Sequence, residues 1–270
     1  SSQTIPTLGG AIVAYLTIDC YSGYPHGYLL KNTSNIVVTV KASITQLKTD
    51  VPTVQLGTFC SDVGILTQSE FRVMTPVVEK YLREEEKMLI AVAESYNHNN
   101  GLSVVESNIR VVKELIRFAI LCILNNPNFH VLKITRRQII MMWGELFHWA
   151  LWIMRLRECP NSPGKTKYEV YFGRKPDLLR IRLLPIFSFV HIKRNIKKAS
   201  DNPLNSNRSF WQRGLYVGPS YEVNGAIRVA VRDKRGNIRV IPTTDYKGVS
   251  DGGREVVVYN IRPEFINPPH

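Results

Sequence analysis

At 270 residues, with 44% apolar side chains, the chain is long enough for one large domain, or a medium domain and a small one, around a true core. The most apolar run, residues 139–156, is interrupted by Glu145 and His148, so no stretch approaches the roughly 18 to 20 uncharged residues of a membrane helix. Net charge is +13 but uneven: residues 1–100 hold 7 Lys+Arg against 9 Asp+Glu, and the remaining 170 hold 28 against 13, a pattern that points to a polyanion, either nucleic acid or an anionic membrane surface.

Residues 11–18 form an apolar run that reads as a buried strand ending at Asp19. Tyr21-Ser22-Gly23-Tyr24-Pro25 reads as a turn, and residues 27–30 as a second strand. Residues 36–47 are expected to be helical, 51–59 a strand followed by Asp62, 71–87 a helix and 88–93 a short strand. After the polar loop 96–101, Glu106 opens a helix that closes at Asn125-Asn126-Pro127. At about 100° per residue, Ile109, Val112, Ile116, Ala119, Ile120 and Ile123 gather on one face. Glu106, Arg110, Lys113 and Arg117 share a second stripe, which is either functional or an ordinary solvated face with a Glu106–Arg110 ion pair.

Residues 136–157 read as one further helix with a core face of Trp143, Phe147, Ala150, Leu151 and Met154. Pro160-Asn161-Ser162-Pro163-Gly164 breaks the chain, and the basic, Asn/Ser-rich stretch 193–207 resembles a linker. Short strands follow at 214–218, 226–231 and 238–241, with Asp233-Lys234-Arg235-Gly236 as the turn between the last two. The expected organisation is a core at 1–178 with its trailing helices, a basic linker at 179–209 and a small β-rich module at 210–270.

Asp19, Asp62 and Glu106 stand at two strand ends and a helix start, a layout that gathers carboxylates around divalent metal. Hard oxygen ligands suit magnesium, and two ions can activate both the attacking and the leaving oxygen of a phosphodiester. The four cysteines have no metal-type spacing and read as reduced thiols, with a Cys20–Cys60 disulfide as the lesser alternative. Reduced thiols fit a nuclear or cytoplasmic place, and a secreted one is not expected. Lacking an initiator Met, the sequence is expected to be cut from something longer. A membrane-surface role lacks the basic amphipathic helix with exposed Trp or Leu that it would need.

Ile18-Asp19-Cys20-Tyr21-Ser22-Gly23-Tyr24, Ser61-Asp62-Val63-Gly64, the stretch from Tyr96 to Arg110, Trp143-Gly144-Glu145 and Tyr168-Glu169-Val170-Tyr171-Phe172-Gly173-Arg174-Lys175-Pro176-Asp177 occur in this order. The set resembles the motifs of copia-type LTR retrotransposon integrases across residues 8–220. That resemblance implies a ribonuclease H-like α/β fold, a mixed sheet with flanking helices, followed here by a small basic β-barrel-like module. It implies D,D-E chemistry: Asp19, Asp62 and Glu106 as catalytic ligands of two magnesium or manganese ions, with Glu94 as a competing third ligand. The implied reactions are 3′-end processing and strand transfer of DNA by a homo-oligomer. Arg110, Lys113 and Arg117 would meet DNA phosphates, Asn97, His98 and Asn99 would flank the metals, and Lys193, Arg194, Lys197 and Lys198 would add linker contacts. Val63 stands where the family has Asn, and Ser107 where Arg is common. A decayed or domesticated nucleic-acid-binding descendant, and a nuclease of the same fold, are the alternatives.

Overall fold

The computed structural model describes residues 5–62, 76–93, 102–126, 133–193, 211–220, 223, 225–233 and 235–248. The chain is a mixed α/β protein in two compact units, one of Ser1–Phe118 with Ile140–Pro176, the other of Ala119–Ile139 with Asp177–His270.

The first unit opens with strands β1 (Val13–Ile18) and β2 (Pro25–Leu30), antiparallel from Val13↔Leu30 to Ile18↔Pro25. Helix α1 (Ile36–Asp50) follows, then β3 (Thr58–Asp62), α2 (Pro76–Lys80) with a π-turn over Tyr81–Glu85, and β4 (Leu89–Ala93). Strands β3 and β4 run parallel, Thr58↔Leu89 to Asp62↔Ala93, which requires a crossover between them, and α2 lies on it. One cluster joins these parts: Tyr15 and Leu30 from the hairpin, Val40 and Ile44 from α1, and Val78, Tyr81, Leu82 and Met88 from the crossover.

Helix α3 (Leu102–Leu124) crosses the division between the units. It begins four residues before the expected start, so Glu106 sits a turn inside it. Its buried side runs through Asn108, Val112, Ala119 and Ile123, while Ile109, expected on the docking face, is exposed. The expected strand over 51–59 begins only at Thr58. Pro52 and a Val54 N–H to Val51 C=O bond of 2.9 Å turn the chain ahead of it. The helix expected over 71–87 divides into α2 and the π-turn; residues 71–75 lie outside the described ones.

The helix expected over 136–157 is two: α4 (Arg136–Met141) and α5 (Trp143–Arg155), parted at Met142. Helix α5 buries Leu146, Phe147, Ala150, Leu151 and Met154, close to the expected face. It lies so near β2 that a Cβ on Gly27 would stand 2.5 Å from both Phe147 and Leu151 side-chain carbons. The break at 160–164 is the turn of a hairpin, β5 (Glu158–Cys159) and β6 (Ser162–Thr166). Helix α6 (Lys167–Phe172) then starts from a capping box, with Thr166 accepting from the Glu169 N–H and Glu169 accepting from the Thr166 N–H, and ends on left-handed Gly173 at φ 67°.

In the second unit α7 (Leu178–Ile181) precedes five strands: β7 (Phe189–Lys193), β8 (Trp211–Pro219), β9 (Ile227–Arg232), β10 (Ile238–Thr243) and β11 (Tyr246–Gly248). They pair in the order β10-β9-β8-β7-β11, all antiparallel, around Val190, Ile192, Tyr216, Ile227, Val229 and Val231. The sheet is open among the described residues, with β10 and β11 as its edges, in place of the barrel-like closure expected. Residues 189–193, read as part of a linker, form β7 and pair with both β8 and β11. The β9–β10 turn falls where expected, and Asp233 Oδ1 accepts the N–H groups of Arg235 at 2.8 Å and Asn237 at 2.9 Å.

His26 is buried on β2, 3.0 Å from the Tyr171 hydroxyl, and burial followed by the Arg155 charge lowers its pKa to about 4. An unfolded His26 takes up a proton as pH falls below 6.5; the folded one does not until about 4. Its contribution is therefore fully present above pH 6.5 and is lost as pH falls toward 4, on the order of 3 kcal/mol in all. Urea unfolding of the parent and of His26→Gln at pH 7, 5.5 and 4.5 checks this: the parent should lose more stability than the variant over that range.

Candidate acidic turn and nucleic-acid interface

Asp19 begins the six-residue turn between β1 and β2. Its N–H donates to Tyr24 C=O at 3.0 Å, and its C=O accepts from Gly23 N–H at 2.8 Å. Its Oδ2 accepts from both the Ser22 N–H at 2.8 Å and the Ser22 hydroxyl. Gly23 has φ 69°, a left-handed backbone that suits Gly. One carboxylate oxygen is thus engaged in holding the turn.

The turn is clamped from outside. Tyr24 stacks on Tyr171 of α6 with ring centroids 4.2 Å apart, and the Arg155 guanidinium lies 4.8 Å over its ring. Asn161 Nδ2 donates to Tyr21 C=O at 2.8 Å. Lys167 is 9% exposed, and a Cβ on Gly23 would stand 3.3 Å from its Cε. Its ammonium donates to Asn108 Oδ1 on α3 at 3.4 Å, and burial followed by the Arg157 charge lowers its pKa.

Asp62 ends β3 opposite Ala93; its side chain lies outside the described ones. Nearby, burial, then Cys60, then Asp19 push the Cys20 thiol pKa upward, which puts Cys60 of β3 within electrostatic reach of the turn. All four cysteines are free thiols, Cys20 and Cys60 among them. Glu106 is exposed on α3. It stands about 200° around the helix from Asn108, the residue through which α3 meets Lys167 beside the turn. Among the described residues no three His, Cys, Asp or Glu side chains gather as metal ligands. Glu94, Asn97, His98, Asn99, Arg194, Lys197 and Lys198 fall outside the described residues.

On the outer side of α3, Glu106, Ile109, Arg110, Lys113, Glu114 and Arg117 line one shallow open groove. Arg110, Lys113 and Arg117 are exposed, and no ion pair among the described residues engages them, so the Glu106–Arg110 pair does not form.

The second unit, expected to be basic, carries a cationic surface whose arrangement across the strands was not foreseen. On one sheet face, Lys247 of β11 lies opposite His191 of β7, which lies opposite Arg213 of β8; one register step away, Lys193 lies opposite Trp211. The Lys247 ammonium lies 4.6 Å over the Trp211 ring, and the Arg213 guanidinium 5.6 Å over Phe189. The alternation of 189, 191 and 193 was visible in the sequence, but which strands flank β7 was not.

No protein-family profile matches the chain, and no curated protein sequence matches it. Among solved structures, one of a simian T-cell lymphotropic virus intasome in complex with PP2A regulatory subunit B56 gamma aligns at TM-score 0.39 and 14% identity, covering 87% of this chain and 71% of that one. A score that low does not establish a shared fold. No helix among the described residues is long and apolar enough to cross a membrane.

Gly23→Ala forces a Cβ into a left-handed turn against Lys167 and is expected to cost about 1–3 kcal/mol. A urea midpoint equal to that of the parent would contradict this role of the turn.

Proposed function

We propose that this chain is an integrase-like DNA-binding protein whose first unit grips DNA along the outer face of α3. The observation that carries the reading is the exposed row Arg110, Lys113 and Arg117, three cations spaced along one helix side without ion-pair partners among the described residues. A phosphate backbone supplies the missing counter-charge, and release of its condensed ions drives association. The copia-type kinship and the ribonuclease H-like reading of the fold are supported by the motif order, and by an antiparallel β1–β2 hairpin followed by parallel β3 and β4.

A second reading adds metal-dependent 3′-end processing and strand transfer by a homo-oligomer. The placement of Asp19 at the start of the clamped turn and of Asp62 at the end of β3 favours it. Asp19 and Asp62 are hard ligands that fit magnesium or manganese. With Asp19 Oδ2 engaged by Ser22, a cation would be taken by the other carboxylate oxygen. A third carboxylate would come from Glu94 or Glu106, and Glu106 would reach the pair only from the side of α3 turned away from Asn108. Bound ions would polarise the phosphodiester and its attacking oxygen; the chain's own part is to hold the acids, through the clamped turn and strand β3, and to fix the DNA on α3.

Fluorescence anisotropy with a labelled duplex over a salt series tests the first reading. Replacing Arg110, Lys113 and Arg117 together by Ala should weaken binding at least tenfold and reduce the salt slope by about 0.9 per lost phosphate contact. Unchanged affinity and slope would refute it. For the second reading, Asp62→Asn should abolish joining of a pre-trimmed DNA end in manganese while retaining DNA affinity, and joining equal to the parent would end the catalytic claim.

A further inference from the structure

We propose that Lys247, His191 and Arg213 together hold one phosphate of a polynucleotide strand on the sheet of the second unit, with His191 taking up a solvent proton as the phosphate arrives. The proposal rests on the reading that the partner is nucleic acid, but its residues are distinct from the α3 row.

The three side chains are direct cross-strand neighbours on adjacent strands, Lys247↔His191 and His191↔Arg213. Strand spacing of about 4.8 Å brings them within roughly 10 Å of one another. They share one face, because residues opposite each other in register point the same way. The other face is committed to the core through Val190, Ile192 and Tyr216.

Lys247 and Arg213 stand two strands apart on either side of His191, so one anion set between them would meet both charges. No carboxylate among the described residues supplies that anion to Lys247 or Arg213. Asp233 pairs with Arg239 at 3.3 Å. Asp245, two residues before Lys247, forms no ion pair among the described residues.

The two cations are held in place by aromatic rings. Lys247 packs over Trp211 and Arg213 over Phe189, so both heads are fixed before a ligand comes, which lowers the ordering cost of binding. Arg232, on the same face of β9 as Ala230 and two residues beyond it, extends the row past Arg213, and Lys193 adds a charge beside Trp211. A row running across strands, broad enough for successive phosphates, suits a polymer better than a single anion.

His191 gives the site its proton dependence. The charged groups acting on it are Arg213 of β8 and Lys247 of β11, with Lys193 two residues along its own strand. Burial first, then those two cations, hold the free imidazole below its ordinary pKa, so it stays neutral near pH 7. A phosphate between the cations reverses the local potential and favours the imidazolium. The bound form therefore titrates at a higher pH than the free form, and affinity rises as pH falls through that interval.

The test uses the full chain, a fluorescein-labelled duplex at fixed salt, and pH 8.0 and 6.0. Parent affinity should rise about three- to tenfold at the lower pH, and His191→Gln should flatten that rise. Lys247→Gln and Arg213→Gln should each weaken binding and reduce the salt slope by about one. NMR of the His191 ring supplies a readout independent of folding yield: its pKa should climb on adding the oligonucleotide. A pH dependence that survives His191→Gln, or a His191 pKa that DNA does not move, overturns the proposal. So does an equal rise with inorganic phosphate alone, or pH-dependent binding to phosphatidylserine vesicles without DNA binding, since each assigns the site to another anion. Loss of binding in the α3 triple variant with normal behaviour of these variants would refute the sheet site alone.

Discussion

The turn that carries Asp19 is held by residues more than a hundred positions away, and the layout of the first unit depends on that clamp. Tyr24 is pressed between Tyr171 and Arg155, the Tyr21 carbonyl is bound by Asn161, and Gly23 lies against the stem of Lys167. Each contact comes from the segment between α5 and the end of α6. Thr166 and Glu169 cap that helix, so its aromatic side chains meet the turn from a fixed start. The motif ending at residues 171–176 and the motif around Asp19 are parts of one packed assembly, which gives a mechanical reason for both to occur in one chain.

Lys167 is the unusual member. A buried ammonium costs free energy unless it is hydrogen-bonded, and here it is offered Asn108 of α3 while its stem covers Gly23. The result is a three-way joint of turn, α3 and α6. The face of α3 that enters this joint is not the one bearing Glu106, and the cations of the helix stay on the solvent side. The helix is thus pinned on one side beside the acidic turn and leaves its cationic side to solvent.

Much of this was legible in the sequence wherever local signals were strong. The β1–β2 hairpin followed from an apolar run and a Ser-Gly turn, the end of α3 from Asn125-Asn126-Pro127, and the β9–β10 turn from Asp233 to Gly236. The exposed row on α3 followed from the helical period alone. What was not legible depended on tertiary partners. Nothing local marks the break at Met142. Residues 189–193 were read into the basic linker that follows them, and they form a strand because β8 and β11 flank them. Ile109 was expected on the buried side, but α3 is turned so that Asn108 takes that place to meet Lys167. The Lys247–His191–Arg213 row exists only in the paired sheet, since its members lie 22 and 34 positions apart along the chain.

An open sheet leaves two rims of unpaired backbone, and rims invite other strands. Among the described residues one rim is β11, three residues long, and the other is β10, which carries Pro242 and the charged Arg239. Short length, a missing amide hydrogen and a surface cation all discourage strand addition. The five-stranded unit would therefore meet other molecules through its side-chain surfaces and not by lengthening its sheet.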